Sequence, residues 1–99
     1  MIMSSLKNLG KYGRMREKYL KEFQPELYAD LVRGDELFDH CAEIDDTAYA
    51  QVSQIVKRMA RADGLTEQMK NTDPMKWIGL INNYKACAEE IIYNELIFI

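Results

Sequence analysis

Glycine and proline punctuate this chain at Gly10, Gly13, Pro25, Gly34, Gly64 and Pro74, and nowhere do apolar and polar residues alternate long enough to read as a strand. The pieces between them carry apolar residues at helical spacing. The expected fold is therefore all-α, a compact bundle of about five short helices with a longer C-terminal one. With 99 residues, residues 1–99 read as a single helical domain around one core.

The two early glycines make residues 1–12 a poor helix, so a loosely ordered start is expected, with the first firm helix from Arg14 to the residue before Pro25. Its apolar stripe is Met15, Tyr19, Leu20 and Phe23. Pro25 suits the first position of a second helix, and Gly34 suits its C-terminal stop. Asp35 is placed to cap a third helix bearing Leu37, Phe38, Cys41 and Ile44, and Asp45 or Asp46 to restart the chain for a fourth. The fourth carries Ala48, Val52, Ile55, Val56, Met59 and Ala62 on one face and ends at Gly64. Thr66 opens a single turn through Met69, and Asp73 with Pro74 opens the last helix.

In that last helix Trp77, Leu80, Ile81, Tyr84, Cys87, Ala88, Ile91 and Ile92 form one apolar arc, with Asn82, Asn83, Glu89, Glu90 and Tyr93 opposite. Continued rotation would put Glu95 inside the apolar arc and Ile97 inside the polar one. A regular helix must end near Asn94, or Leu96 to Ile99 must pack on something outside the main contact.

Ordered along the chain are Gly10-Lys-Tyr-Gly-Arg-Met-Arg16, Tyr19-Leu-Lys-Glu22, Pro25-Glu-Leu-Tyr28, Glu43-Ile-Asp45, Gly64-Leu-Thr-Glu67 and Asp73-Pro-Met-Lys-Trp77. Asn82-Asn83, Ala88-Glu-Glu-Ile91 and Glu95-Leu96 follow. This series resembles the transposon-encoded TnpV-type proteins, small helical proteins of bacterial mobile elements, over roughly residues 10–97. The resemblance implies a mobile-element setting in a bacterial cytoplasm; it supplies neither a reaction nor site residues. The chain departs from the pattern in a more acidic third helix, at Cys41 and Ala42, and in its apolar Phe98-Ile99.

Charge is unevenly spread. Residues 1–33 hold seven Lys/Arg against four Asp/Glu, whereas residues 34–99 hold six against twelve, for a net charge of −3. An acidic total argues against indiscriminate duplex binding. Lys11, Arg14, Lys18 and Lys21 would nonetheless align on a helix, as a solvated face or as a phosphate-following stripe.

Six carboxylates crowd residues 35–46 beside His40 and Cys41, but calcium-loop spacing and a second His or Cys nearby are missing. No metal or other cofactor is expected. Asp35, Glu36, Asp39, Glu43 and Asp46 read as an acidic face that could occupy a basic groove on a partner. His40 and Cys41 are neighbours on a helix and point about 100° apart, so they make no nucleophile and base. Both cysteines read as buried packing residues.

A helix-turn-helix at Ala60 to Gly64 fails, because Pro74 cuts the second helix short. The longest apolar run, Trp77 to Ile81, is far too short to span a membrane, and the start lacks a signal core. A cytoplasmic location follows. The second candidate contact is the C-terminal end, Tyr93, Leu96, Ile97, Phe98 and Ile99, which either closes the bundle or meets another chain.

The sequence thus points to a non-enzymatic interaction protein with a protein partner, such as a CRISPR effector or another nucleic-acid-handling defence complex. Its alternative is an accessory DNA-binding protein using the basic stripe. A homodimer fits either.

Overall fold

A computed structural model describes residues 9–99. The described chain is helical throughout, with α1 (Lys11–Phe23), α2 (Pro25–Arg33), α3 (Leu37–Ala62), α4 (Glu67–Thr72) and α5 (Pro74–Ile92), followed by a π-helical turn at Tyr93–Ile97. Helix α3 runs beside α5, α1 packs on α3 and on the turn that follows α5, α2 folds back onto α1 and α3, and α4 rests on α5. The outline is elongated, 53 × 26 × 16 Å, because a 26-residue helix such as α3 extends about 39 Å.

Three expectations about where helices begin and end are corrected. The separate third and fourth helices are one uninterrupted α3. Asp45 does not restart the chain, because its side chain is spent on a contact with α1: it accepts a hydrogen bond from the Gly13 amide at 2.9 Å. The first helix begins at Lys11 rather than Arg14. Gly10 and Gly13 are there for close approach, since a Cβ at Gly13 would lie 2.9 Å from the Cys41 carbonyl oxygen and one at Gly10 2.7 Å from the Asp45 carboxylate. The expected loose start lies partly outside the described residues, and within them Leu9 is buried.

The third correction concerns the α2–α3 corner, where Gly34 ends α2 as expected but Asp35 does not cap α3, whose N-cap is Glu36. Asp35, not Gly34, takes the left-handed conformation, with φ 57°. Its amide bonds the Val32 carbonyl and the Glu36 amide bonds that of Leu31, the paired pattern that closes a helix C-terminus. Aspartate tolerates this region better than most residues. The α3 terminus follows the expected form, with Gly64 at φ 73° and the Leu65 amide bonded to the Ala60 carbonyl. Asp73 caps α5, accepting from the Lys76 amide.

Two contiguous clusters form the core. Tyr12, Ala48, Val52, Ala88, Ile92 and Ile97 meet where α1, α3 and the end of α5 converge, and Leu9, Leu20, Leu37 and Cys41 fill the space beneath α2. On α5 the buried residues are Tyr84, Ala88 and Ile92. Cys87 lies at the edge of the arc and is exposed, correcting the expectation of a buried thiol, while Cys41 is buried as expected.

The rotational conflict at the end of α5 is resolved by the π turn. The Phe98 amide bonds the Tyr93 carbonyl, five residues back, and this wider turn shifts the phase of everything after it. Ile97 consequently becomes fully buried while Glu95 remains exposed. Tyr93, expected on the polar side, packs against the core.

Candidate functional site

Two buried charges organise the end of the molecule where α1 meets the C-terminal turn. Helix α1 has Gly10 at its N-cap, with no side chain to satisfy the first amides. Asp45 supplies that cap from α3, through Gly13. At the other helix end, Arg16 donates from Nη1 to the backbone oxygens of Ile97 at 2.9 Å and Ile99 at 3.2 Å. It thereby places a cation at the carbonyl end of the last helix, where the helix dipole favours one. Arg16 and Asp45 are the buried charged residues among those described, and no buried side-chain polar atom among them lacks a partner.

Arg16 also donates from Nε to His40 Nε2 at 3.2 Å. Burial, followed by the adjacent guanidinium, pushes the His40 imidazole below its ordinary value, against a smaller upward pull from Glu43. Burial likewise lowers the Arg16 value. The neighbouring Cys41 thiol is pushed up to about 11 by burial, so it is not poised as a thiolate nucleophile. On the other side of α1, Glu89 accepts from Tyr12 Oη at 2.7 Å and Lys11 Nζ at 2.8 Å. Burial alone would raise its carboxyl, but these two bonds outweigh it and hold the group below the ordinary range.

Holding the chain at Ile97 and Ile99 fixes Phe98 between them. Gln24 adds a bond from Nε2 to the Ile99 backbone oxygen at 2.7 Å. Phe98 sits 5.5 Å from the Tyr19 ring and 5.5 Å from the Tyr93 ring, and Tyr19 continues to Phe23 at 5.4 Å. These rings border an apolar groove of about 520 Å³ lined by Met15, Lys18, Tyr19, Glu22, Phe23 and Phe98. Phe23 stands out beside it, 69% exposed.

Of the C-terminal candidates, Phe98 and Ile99 reach the surface, Tyr93 and Leu96 are half-buried, and Ile97 faces inward. Ile97 therefore belongs to the core rather than to an exposed contact. The first-helix stripe is corrected as well: Tyr12, Arg16 and Leu20 face the core, and Phe23 does not. That signal was present in the sequence, since the three are four residues apart and Arg16 lies between two apolar positions. Asp45 is the equivalent on α3, an acid in line with Cys41, Ala48 and Val52.

The acidic candidates fall elsewhere. Asp35 and Glu36 occupy the corner before α3, and Asp39, Glu43 and Asp46 follow along its outer face, all five exposed. Because α3 is unbroken, Glu36, Asp39, Glu43 and Asp46 share one ridge, on which Lys57 and Arg61 follow at the far end. Among the described residues none of these six takes part in an ion pair. In the basic stripe Lys11 is tied to Glu89, and Arg14, Lys18 and Lys21 are exposed on α1, with Lys21 Nζ 6.0 Å from the Tyr28 ring centre.

Among the described residues no cluster of three or more His, Cys, Asp or Glu side chains could hold a metal ion. No described helix is long and apolar enough to cross a membrane. No curated protein and no solved structure matches the chain. The family model for the transposon-encoded protein TnpV matches residues 2–97, nearly the whole chain, including Arg16, Asp45, Gly13 and Ile97 though not Ile99, and the chain belongs to that family.

Proposed function

We propose that this mobile-element protein acts without catalysis, by binding a protein partner and modulating or inhibiting it. The observation carrying this reading is the ridge of α3: Asp39, Glu43 and Asp46 at helical spacing on a single unbroken helix, with Glu36 in line at its N-cap, all four exposed and without ion pairs among the described residues. Such a ridge complements a basic groove, and opposite potentials both accelerate encounter and fix orientation. Lys57 and Arg61 at the other end of the ridge give it polarity, so a matching partner presents basic groups first and acidic groups farther along. A nucleic-acid-handling complex, including a host defence complex such as a CRISPR effector, offers basic grooves of this kind. This activity places the protein in the bacterial cytoplasm.

The test is capture of bound proteins from the bacterial host with wild-type protein and with an Asp39→Lys, Glu43→Lys, Asp46→Lys variant. A nuclease-resistant partner whose affinity falls at least about tenfold in the variant supports the reading; a partner bound equally well by both removes the acidic ridge from it.

A second reading, accessory DNA binding, rests on the exposure of Arg14, Lys18 and Lys21 along α1. It requires affinity that falls steeply with salt and is lost when these residues are neutralised. Binding that is insensitive to salt eliminates it.

A further inference from the structure

The aromatic groove beside Phe23 is separate from the acidic ridge, and its occupant is indicated by its own shape and charge. Phe23 is 69% exposed and its ring lines two concavities. One is the groove lined by Met15, Lys18, Tyr19, Glu22 and Phe98, about 520 Å³; the other, about 430 Å³, is lined by Gln24, Pro25, Glu26 and Leu27. A knob and the holes beside it on one face are what a self-complementary contact needs, since each copy then presents the same patch to the other.

The charge pattern agrees. Lys18 and Glu22 line the groove and, four residues apart, lie on the same flank of α1. When two identical helices cross antiparallel about a two-fold axis, each flank meets its own counterpart in reverse order. Lys18 of one copy then faces Glu22 of the other, and the reciprocal pair forms at the same time. A parallel pairing would place like charges together. Exposed Phe98, Ile99 and Leu27 extend the apolar area around Phe23, and buried aromatics commonly anchor interfaces.

We infer that the groove is a homodimer contact in which α1 helices of two copies pair antiparallel, the Phe23 ring of each entering the other's groove between reciprocal Lys18–Glu22 ion pairs. The dimer displays two acidic ridges, and the inference stands or falls independently of what those ridges bind.

The experiment is sedimentation velocity of the full chain over a wide concentration range, with wild type and four variants. Wild type is expected to pass from monomer to dimer as concentration rises, and Phe23→Asp to remain monomeric with an unchanged helical spectrum. Lys18→Glu and Glu22→Lys alone each place like charges opposite one another and should weaken self-association at least about tenfold. Mixed together, these two variants should form a heterodimer, because one then carries only acids and the other only bases at these positions. The double variant Lys18→Glu, Glu22→Lys should regain wild-type association. A wild-type protein that is monomeric throughout overturns the inference, as does a dimer that survives Phe23→Asp or a charge-swapped mixture that fails to associate.

Discussion

The two ends of this elongated molecule are built differently although the same pair of helices, α3 and α5, runs through both. At one end α1, α2 and the π turn cover that pair, and both buried clusters lie there. Its two buried charges do not pair with each other; each closes the exposed backbone of a helix end brought by another part of the chain. At the other end α3 and α5 are joined by the short α4, which has no buried residue. Met75 and Ile78 are exposed on α5, Tyr84 bonds Asp63, and Lys70 lies 5.0 Å from the Trp77 ring centre. The molecule thus has a tightly buried end and a half-covered one. The difference lies in how many backbone groups are satisfied across the bundle rather than within a helix.

Removing the cation should have the largest effect. Arg16→Ala leaves the Ile97 carbonyl buried without its donor, and a hydrogen bond of this charged kind is worth about 3 kcal/mol with its attendant packing. Urea unfolding should show that loss, whereas Lys70→Ala at the opposite end should cost under about 0.5 kcal/mol. Equal losses would erase the contrast between the two ends.

Next is the cap delivered by Asp45. Asp45→Ala should cost about 2 kcal/mol, the upper range for a lost N-cap. Gly13→Ala should cost about 1–3 kcal/mol, because its Cβ meets the Cys41 backbone oxygen rather than a movable side chain. The two losses should not add, since both variants disturb the same contact. Asp35→Gly should act in the opposite direction, raising stability by about 1 kcal/mol by relieving a left-handed residue.

A smaller, pH-dependent effect belongs to His40. Its folded-state value lies below the ordinary 6.5, so the unfolded chain takes up the proton first, and stability decreases as pH falls from 6.5 through the folded value. His40→Gln keeps an acceptor for Arg16 without the titration. Its urea midpoint should vary less between pH 7.5 and 5 than that of the wild type.

Periodicity and capping residues made most of the fold legible: the helical class, the starts of α2 and α5, and the end of α3 at Gly64. They failed at Asp45 and Gly13 for a common reason. Aspartate and glycine have strong local preferences, for caps and for breaks, and here both are claimed by a contact 32 residues apart, which no local pattern registers. The polar-side position of Ile97 signalled a break near Asn94, and the regular helix ends at Ile92, but the pattern did not show that a wider turn would restore Ile97 to the core. The acidic ridge was readable because exposure needs no partner, but the aromatic groove was not. Tyr19 and Phe23 read as core until Tyr12, Arg16 and Leu20 took that face and the Arg16 bonds brought Phe98 alongside.

The most direct test of the claim that charges exchanged between helices make one end a cooperative unit is native-state hydrogen exchange, followed residue by residue. The Gly13 amide should exchange only through global unfolding, and the amides of Glu67–Thr72 through far cheaper local openings. In Asp45→Ala, Gly13 protection should collapse toward that of α4. A Gly13 amide that exchanges as fast as α4 in the wild type, or stays equally protected in the variant, would contradict the account.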